Sequence, residues 1–380
     1  MHRLDLQSGL LVNPLLSHNG YYTVGNSVHL NKLSAVIDGT ARNIHPQWRF
    51  NDEIFATVPW TLEPQEDLQT LYFQRAKYLR EKYDYVVLMF SGGIDSTNAL
   101  ESFLLQDIYP DEILTTWHVR AAEEYYGSYL NRSPENCISE WVYTIKPALR
   151  FLDKHHEKIK ITVLDSTVDV ATDSYTEQDF FLFDHYHNLP AMNRWGPVLK
   201  YLRQVSDAHP NHVSILGLEK PYFRRQDDKF YLRFLDVSTH IRSQKNLNIE
   251  YFYWSGDATD ILRKQAHVLL EFFRQHPELQ HCIDTRDDYL LHLINKCIYP
   301  TYDPEKFQSK KQRSMIYNDQ QAWAWRLSQY QSGQYQDRWL SYWRNFLLAI
   351  DPKYIRYKDH LFDGLVGFLG PDFLIGDLSS

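Results

Sequence analysis

Cysteine is scarce. Three thiols, Cys137, Cys282 and Cys297, stand far apart in 380 residues, which excludes a disulfide framework, a paired-cysteine zinc knuckle and a four-thiolate iron–sulfur cage, and fits a reducing cytoplasm. Long apolar runs are missing too. No stretch approaches the roughly 18 consecutive apolar residues of a membrane helix, and the strongest short run, Tyr85 to Phe90, has strand length. The early Leu-rich patch is broken by Asn13 and Pro14, so no secretory core segment is expected. Positive charge is not in excess. Lys plus Arg total 40 against 48 Asp plus Glu, a net −8, which speaks against coating nucleic acid by bulk charge while leaving room for a local basic groove. Neither GxxxxGK[ST] nor GxGxxG occurs, which removes the usual support for a Walker-type γ-phosphate transfer and for a dinucleotide site.

What is present suits a folded protein. Hydrophobic residues at 43% and charged ones at 23% can bury a sizeable core, and the length asks for two domains or one with large additions. Residues 19 to 37 read as two short β-type runs about a Gly-Asn turn, a small hairpin. Leu68, Leu71, Tyr72, Ala76 and Leu79 then recur at helical spacing between Glu66 and Lys82. The run Tyr85 to Phe90 follows, apolar throughout, as in a central parallel strand covered on both faces. Helical spacing resumes from Asn98 to Leu105. Strands at Ile113 to Val119, Ile159 to Leu164 and His212 to Gly217, alternating with helices at Pro134 to Lys154 and Trp195 to Val205, predict an open parallel α/β sheet. Phe230 to Leu235 reads as an antiparallel addition. From Asp257 onward the spacing is helical, including Trp323 to Tyr330 and Arg338 to Ile350, with a docked or frayed tail after Leu361. The expected organisation is a hairpin extension over 1–64, an α/β domain over 65–256 and a helical region over 257–380.

Directly after the central strand comes Phe90-Ser91-Gly92-Gly93-Ile94-Asp95-Ser96-Thr97, then helix. Strand, glycine turn and helix start make an anion site, because the first-turn amides lack intrahelical acceptors and lie at the positive end of the helix dipole. Gly92 and Gly93 tolerate positive φ and let the backbone approach a ligand, while Ser91, Ser96 and Thr97 add hydroxyl donors. Asp95 would be repelled by phosphates unless a cation lay between them, so it points to Mg²⁺ and a polyphosphate. The competing reading is an ordinary strand-to-helix turn with Asp95 or Ser96 as N-cap.

Ser91 to Ser96, Ser-Gly-Gly-Ile-Asp-Ser, resembles the PP-loop signature of the N-type ATP pyrophosphatases. The resemblance covers about residues 84 to 220, with the loop alone specific. It implies a HUP-type α/β domain that binds ATP and Mg²⁺, transfers AMP to a substrate oxygen, releases pyrophosphate and lets a nitrogen or sulfur nucleophile displace AMP. Phe90, Ser91, Gly92, Gly93, Asp95, Ser96 and Thr97 would then cradle the phosphates, with Asp95 on the metal. Backbone at Met89 to Phe90 and at Thr116 to His118 would read adenine. Gly217-Leu218-Glu219-Lys220 would close the pyrophosphate site, Glu219 holding metal and Lys220 neutralising phosphate, although a solvated turn with a surface ion pair suits the same residues. Lys264, on a downstream helix with His267, is the candidate for the α-phosphate; Lys310 and Lys311 are a weaker pair.

Other clusters carry less. His185 and His187, at i and i+2, suit metal ligation or a polar loop, and with Arg194 they could line the acceptor side. His281-Cys282 with Cys297 reads as thiol packing rather than zinc. Within the resembling superfamily, His2 stands where a glutamine-dependent synthetase exposes its cysteine nucleophile, and the 84 residues before the core strand are too few for that glutaminase domain. The general look is similar to asparagine-synthase-like PP-loop proteins of large tailed phages, which would place the chain in a host cytoplasm. The expected reaction is therefore an AMP-forming ligation without a glutaminase. Alternatives are a sulfonucleotide reductase, whose catalytic cysteine tail is not matched here, a nucleotide-binding module without turnover, and a tRNA- or DNA-modifying enzyme. For the last, Arg224, Arg225, Lys229 and Arg233 beside Tyr222, Phe223 and Phe230 would form a basic stacking patch. The acceptor substrate and the oligomeric state are not legible.

Overall fold

A computed structural model of the chain describes residues 4–5, 20–29, 35, 38–39, 41–117, 119, 145–152, 155, 157–165, 195–217, 222–236, 248–283, 288–302 and 369–379. The chain begins with strands β1 (Leu4–Asp5), β2 (Tyr21–Val24), β3 (Ser27–His29) and β4 (Gln47–Arg49), and a short helix α1 (Asp52–Phe55). Then come α2 (Leu68–Lys82), β5 (Tyr85–Met89), α3 (Ile94–Leu104), β6 (Glu112–Trp117), α4 (Lys146–Leu152) and β7 (Lys160–Asp165). They are followed by α5 (Trp195–Ala208), β8 (His212–Leu216), β9 (Tyr222–Gln226), β10 (Lys229–Leu235) and β11 (Ile249–Tyr251). The last elements are α6 (Thr259–Gln275), a 3₁₀ turn (Pro277–Cys282), α7 (Asp288–Ile298) and β12 (Leu369–Asp377). Among the described residues no helix is long and apolar enough to cross a membrane.

The centre is a five-stranded sheet in the order β11-β8-β5-β6-β7, with every pair parallel. β5 comes first in the chain and lies in the middle, so later strands are added on one side as β6 and β7 and on the other as β8 and β11. The strand order therefore reverses between β5 and β8. In open α/β sheets that is where a crevice forms at the carboxyl ends. Val86, Val87 and Leu88 are fully buried, as a strand covered on both faces requires. α2 packs on this sheet through Leu68, Leu71, Tyr72, Ala76 and Leu79, and its start is capped by Asp67, whose carboxylate accepts from the Thr70 amide at 2.7 Å.

Two features extend the sequence reading. The expected hairpin is present as β2 and β3, but it belongs to a four-stranded antiparallel sheet, β1-β3-β2-β4. The C-terminal stretch is not wholly helical: β12 pairs antiparallel with β10, which pairs with β9, in a second small sheet. An aromatic cluster joins these parts. Phe234 of β10 stacks on Phe55 at 4.7 Å, and Trp60, Phe373 of β12 and Trp254, which follows β11, close around them. Each ring contact adds about 0.5–1.5 kcal/mol beyond its area, which gives the tail a reason to dock. The helices expected at Trp323 to Tyr330 and Arg338 to Ile350 lie outside the described residues.

Candidate functional site

β5 ends at Met89, opposite Leu114 of β6 and Leu216 of β8. The Phe90 amide still donates to the Leu114 carbonyl at 2.8 Å, so the chain leaves the sheet at Ser91. Gly92 turns it with φ +71°, a left-handed conformation that a side chain would strain. Gly93 is extended at φ −74° and occupies the N-cap of α3 with no side-chain hydrogen bond. Only Gly92 uses the positive φ that both glycines tolerate. The N-cap reading of Asp95 or Ser96 is likewise set aside. The first intrahelical bond runs from the Thr97 amide to the Gly93 carbonyl at 3.0 Å, so the amides of Ile94, Asp95 and Ser96 precede it at the positive end of the helix.

Serine hydroxyls hold the turn loosely. Ser96 Oγ donates to the Gly93 carbonyl at 3.1 Å and accepts from the Ser91 amide at 3.3 Å, while the Gly93 amide donates to Ser91 Oγ at 3.3 Å. Thr97 Oγ1 is buried without a partner among the described residues. From the neighbouring strand, Gly217 lies against this turn. A Cβ there would sit 2.9 Å from Ser96 Cα and 3.3 Å from the Asp95 carbonyl oxygen, closer than real side chains pack against backbone, so only glycine lets the end of β8 meet the start of α3. On the other side β6 continues past the level of Met89 through Thr115 and Thr116, both buried. The structure thus brings Phe90, Ser91, Gly92, Gly93, Asp95, Ser96, Thr97 and Gly217 together, with Thr116 on the overhanging strand beside them.

Two tyrosines not among the candidate site residues bond Asp95, and a third, Tyr72, packs behind them. Tyr299, just beyond α7, donates its hydroxyl to Asp95 Oδ1. The Tyr253 hydroxyl donates to the Asp95 carbonyl at 2.8 Å and accepts from Asn98 Nδ2 at 2.9 Å. Tyr72 donates to the Ile298 carbonyl at 2.7 Å and accepts from Gln265 Nε2 at 2.8 Å. Burial, with the Asp95 charge beside them, pushes all three phenols well above their ordinary range, so they stay protonated donors. No spacing links Tyr299 to a loop 204 residues earlier.

Other candidates sit elsewhere. Lys264 Nζ reaches Glu63 Oε1 at 2.7 Å and the Pro64 carbonyl at 3.0 Å, and His267 Nε2 lies 2.9 Å from the Trp60 carbonyl. Both hold the segment that precedes α2, and among the described residues neither bonds to the loop. Phe223 and Phe230 stack on each other at 4.8 Å in the core, so they cannot stack on bases. Arg224 and Arg233 both donate to Asp372 of β12, at 2.6 and 2.7 Å, which offsets much of the supposed basic patch. Cys282 Sγ lies 3.2 Å from His281 Nε2, and burial raises the Cys297 thiol. His118, Glu219, Lys220, His185, His187, Arg194, Lys310, Lys311 and Cys137 lie outside the described residues. Among the described ones no group of three His, Cys, Asp or Glu could hold a metal by itself; a cation at Asp95 would draw on ligand oxygens as well, as magnesium at nucleotides does. No protein-family model and no curated protein matches the chain.

Proposed function

We propose that the chain is a PP-loop ATP pyrophosphatase built on a HUP-type sheet. It binds Mg-ATP at residues 90–97 and adenylates a carbonyl or carboxylate oxygen of an acceptor. A nitrogen or sulfur nucleophile then displaces AMP, in an asparagine-synthase-like ligation without a glutaminase domain. The observation that carries this reading is the start of α3, whose N-cap Gly93 has no side chain to cap it, turned by Gly92 and pressed by Gly217, at the point where the strand order reverses. Amides there suit the β- and γ-phosphates. When the acceptor oxygen attacks the α-phosphorus, the bond to the β-phosphate breaks, and the departing pyrophosphate carries its new charge onto donors already aimed at it. No protein nucleophile is required. The donor set also fits magnesium, which when bound would supply the charge that lets Asp95 share the site with phosphates.

The test is release of AMP and pyrophosphate from α-labelled ATP with magnesium and cell extract as the source of acceptor. Equal yields of the two products are expected. Asp95→Ala should lower release about 100-fold or more, with the urea midpoint showing a folded protein, and Ser91→Ala about tenfold. ADP in place of AMP would overturn the reading, and tight nucleotide binding without AMP from any extract would leave a binding module instead.

A further inference from the structure

We infer that Tyr299 is the positioning residue of the site: its phenol aims the Asp95 carboxylate at the bound metal–nucleotide, and α2 and α6 hold Tyr299 in place through donated hydrogen bonds. This deepens the function proposed above and rests on it. The bonds run in one direction. Gln265 of α6 donates to Tyr72 of α2 at 2.8 Å, Tyr72 donates to the carbonyl of Ile298 at 2.7 Å, and the next residue, Tyr299, donates to Asp95. Tyr253 grips the backbone of the same aspartate from the segment after β11. The three rings meet at 5.6 to 6.5 Å between centroids, and Tyr72, Tyr253 and Tyr299 are at most 1% exposed.

The choice of donor is informative. A neutral hydroxyl fixes the direction of a carboxylate without cancelling its charge, whereas an arginine in the same place would form an ion pair that competes with a cation. Carboxylates that ligate metal are oriented by such hydrogen bonds, and loss of one lowers metal affinity about 10- to 100-fold. Simple core packing would be met by phenylalanine, which fills the same space and lacks only the bond.

The experiment measures binding of the imido analogue of ATP by calorimetry, with and without magnesium chloride, to the full chain and to Tyr299→Phe. Magnesium should tighten analogue binding to the native protein. In Tyr299→Phe that gain should shrink about tenfold, with metal-free affinity unchanged within about twofold. Tyr72→Phe, which loosens Tyr299 indirectly, should lose about threefold of the gain, and it decides the question if Tyr299→Phe does not fold. A full magnesium gain in the variant, or an equal fall with and without metal, overturns the inference while leaving the proposed function standing. Absence of analogue binding to the native chain would overturn both.

Discussion

The seam between α2 and β11 and the loop between β5 and α3 each hold a carboxylate, and they treat it in opposite ways. At the seam Glu250 is 4% exposed and takes Arg75 at 2.9 Å, Lys82 at 2.7 Å and the Tyr83 hydroxyl. Arg75 spends three further donors on Asp257 at 3.1 Å and on the carbonyls of Tyr251 and Phe252 at 2.8 and 3.2 Å. A cavity of about 240 Å³ lined by Arg75, Tyr78 and Asp257 opens beside these groups, which are already bonded to one another. In the loop the hydroxyl bonds are 3.1 to 3.3 Å long, the first helical amides precede the first intrahelical bond, and the carboxylate is oriented by a phenol. One region joins its polar groups in ion pairs and contributes stability; the other leaves the amides of Ile94, Asp95 and Ser96 ahead of the first intrahelical bond, as the proposed site requires.

Substitutions that break one region and spare the other sharpen this contrast. The largest expected effect on stability is at Arg75, whose removal leaves Glu250 and Asp257 short of their shared cation in a buried setting. Arg75→Met should lower unfolding free energy by about 3–5 kcal/mol in urea titration, yet keep magnesium–analogue affinity within about threefold. A large loss of affinity with little loss of stability would dissolve the distinction. Gly217→Ala should do the reverse. Its Cβ would press on Ser96 backbone at 2.9 Å, so the first turn of α3 must shift. Analogue affinity should fall about tenfold or more while stability drops by about 1–3 kcal/mol.

How much of this was legible in the sequence depends on how far apart the determinants lie. β5, α2 and the loop are local features: a run of apolar β-formers, apolar residues at helical spacing, and two glycines between them. β11 was missed because Glu250 interrupts a three-residue strand, and an acidic residue reads as exposed until its partner Arg75, 175 residues away in the chain, is known. β12 was missed for a related reason. Gly370, Pro371 and Gly376 look like tail, and proline is tolerated because β12 lies at the edge of its sheet. Its pairing with β10 and the packing of the partly buried Phe373 against aromatic rings make it a strand. The stacking patch failed in the opposite sense, since alternation along β9 and β10 sends Phe223 and Phe230 into the core.

The smallest expected effects come from titration, where the seam shares the acid range with Asp38 and Asp67, two carboxyls elsewhere that are also lowered. Burial alone would raise Glu250, but Arg75, Lys82 and Tyr83 outweigh it and hold the carboxyl below its usual range. Asp257 behaves likewise, with Arg75, Ser255, Tyr78 and Lys82 overcoming burial to bring it to about 2. A depressed carboxyl binds its proton less readily in the folded chain, so its contribution is complete above the unfolded value and is lost as pH falls through the folded one. His212 and His267 are lowered mainly by burial. The unfolded chain takes up their protons first, so they also lose stability toward acid, starting from about pH 6.5. Urea midpoints should therefore decline gently below pH 6.5 and more steeply below about pH 4.5. Glu250→Gln, although weaker at neutral pH, should flatten the second decline and leave the first. A variant that kept the steep acid limb would show that the seam is not what acid undoes.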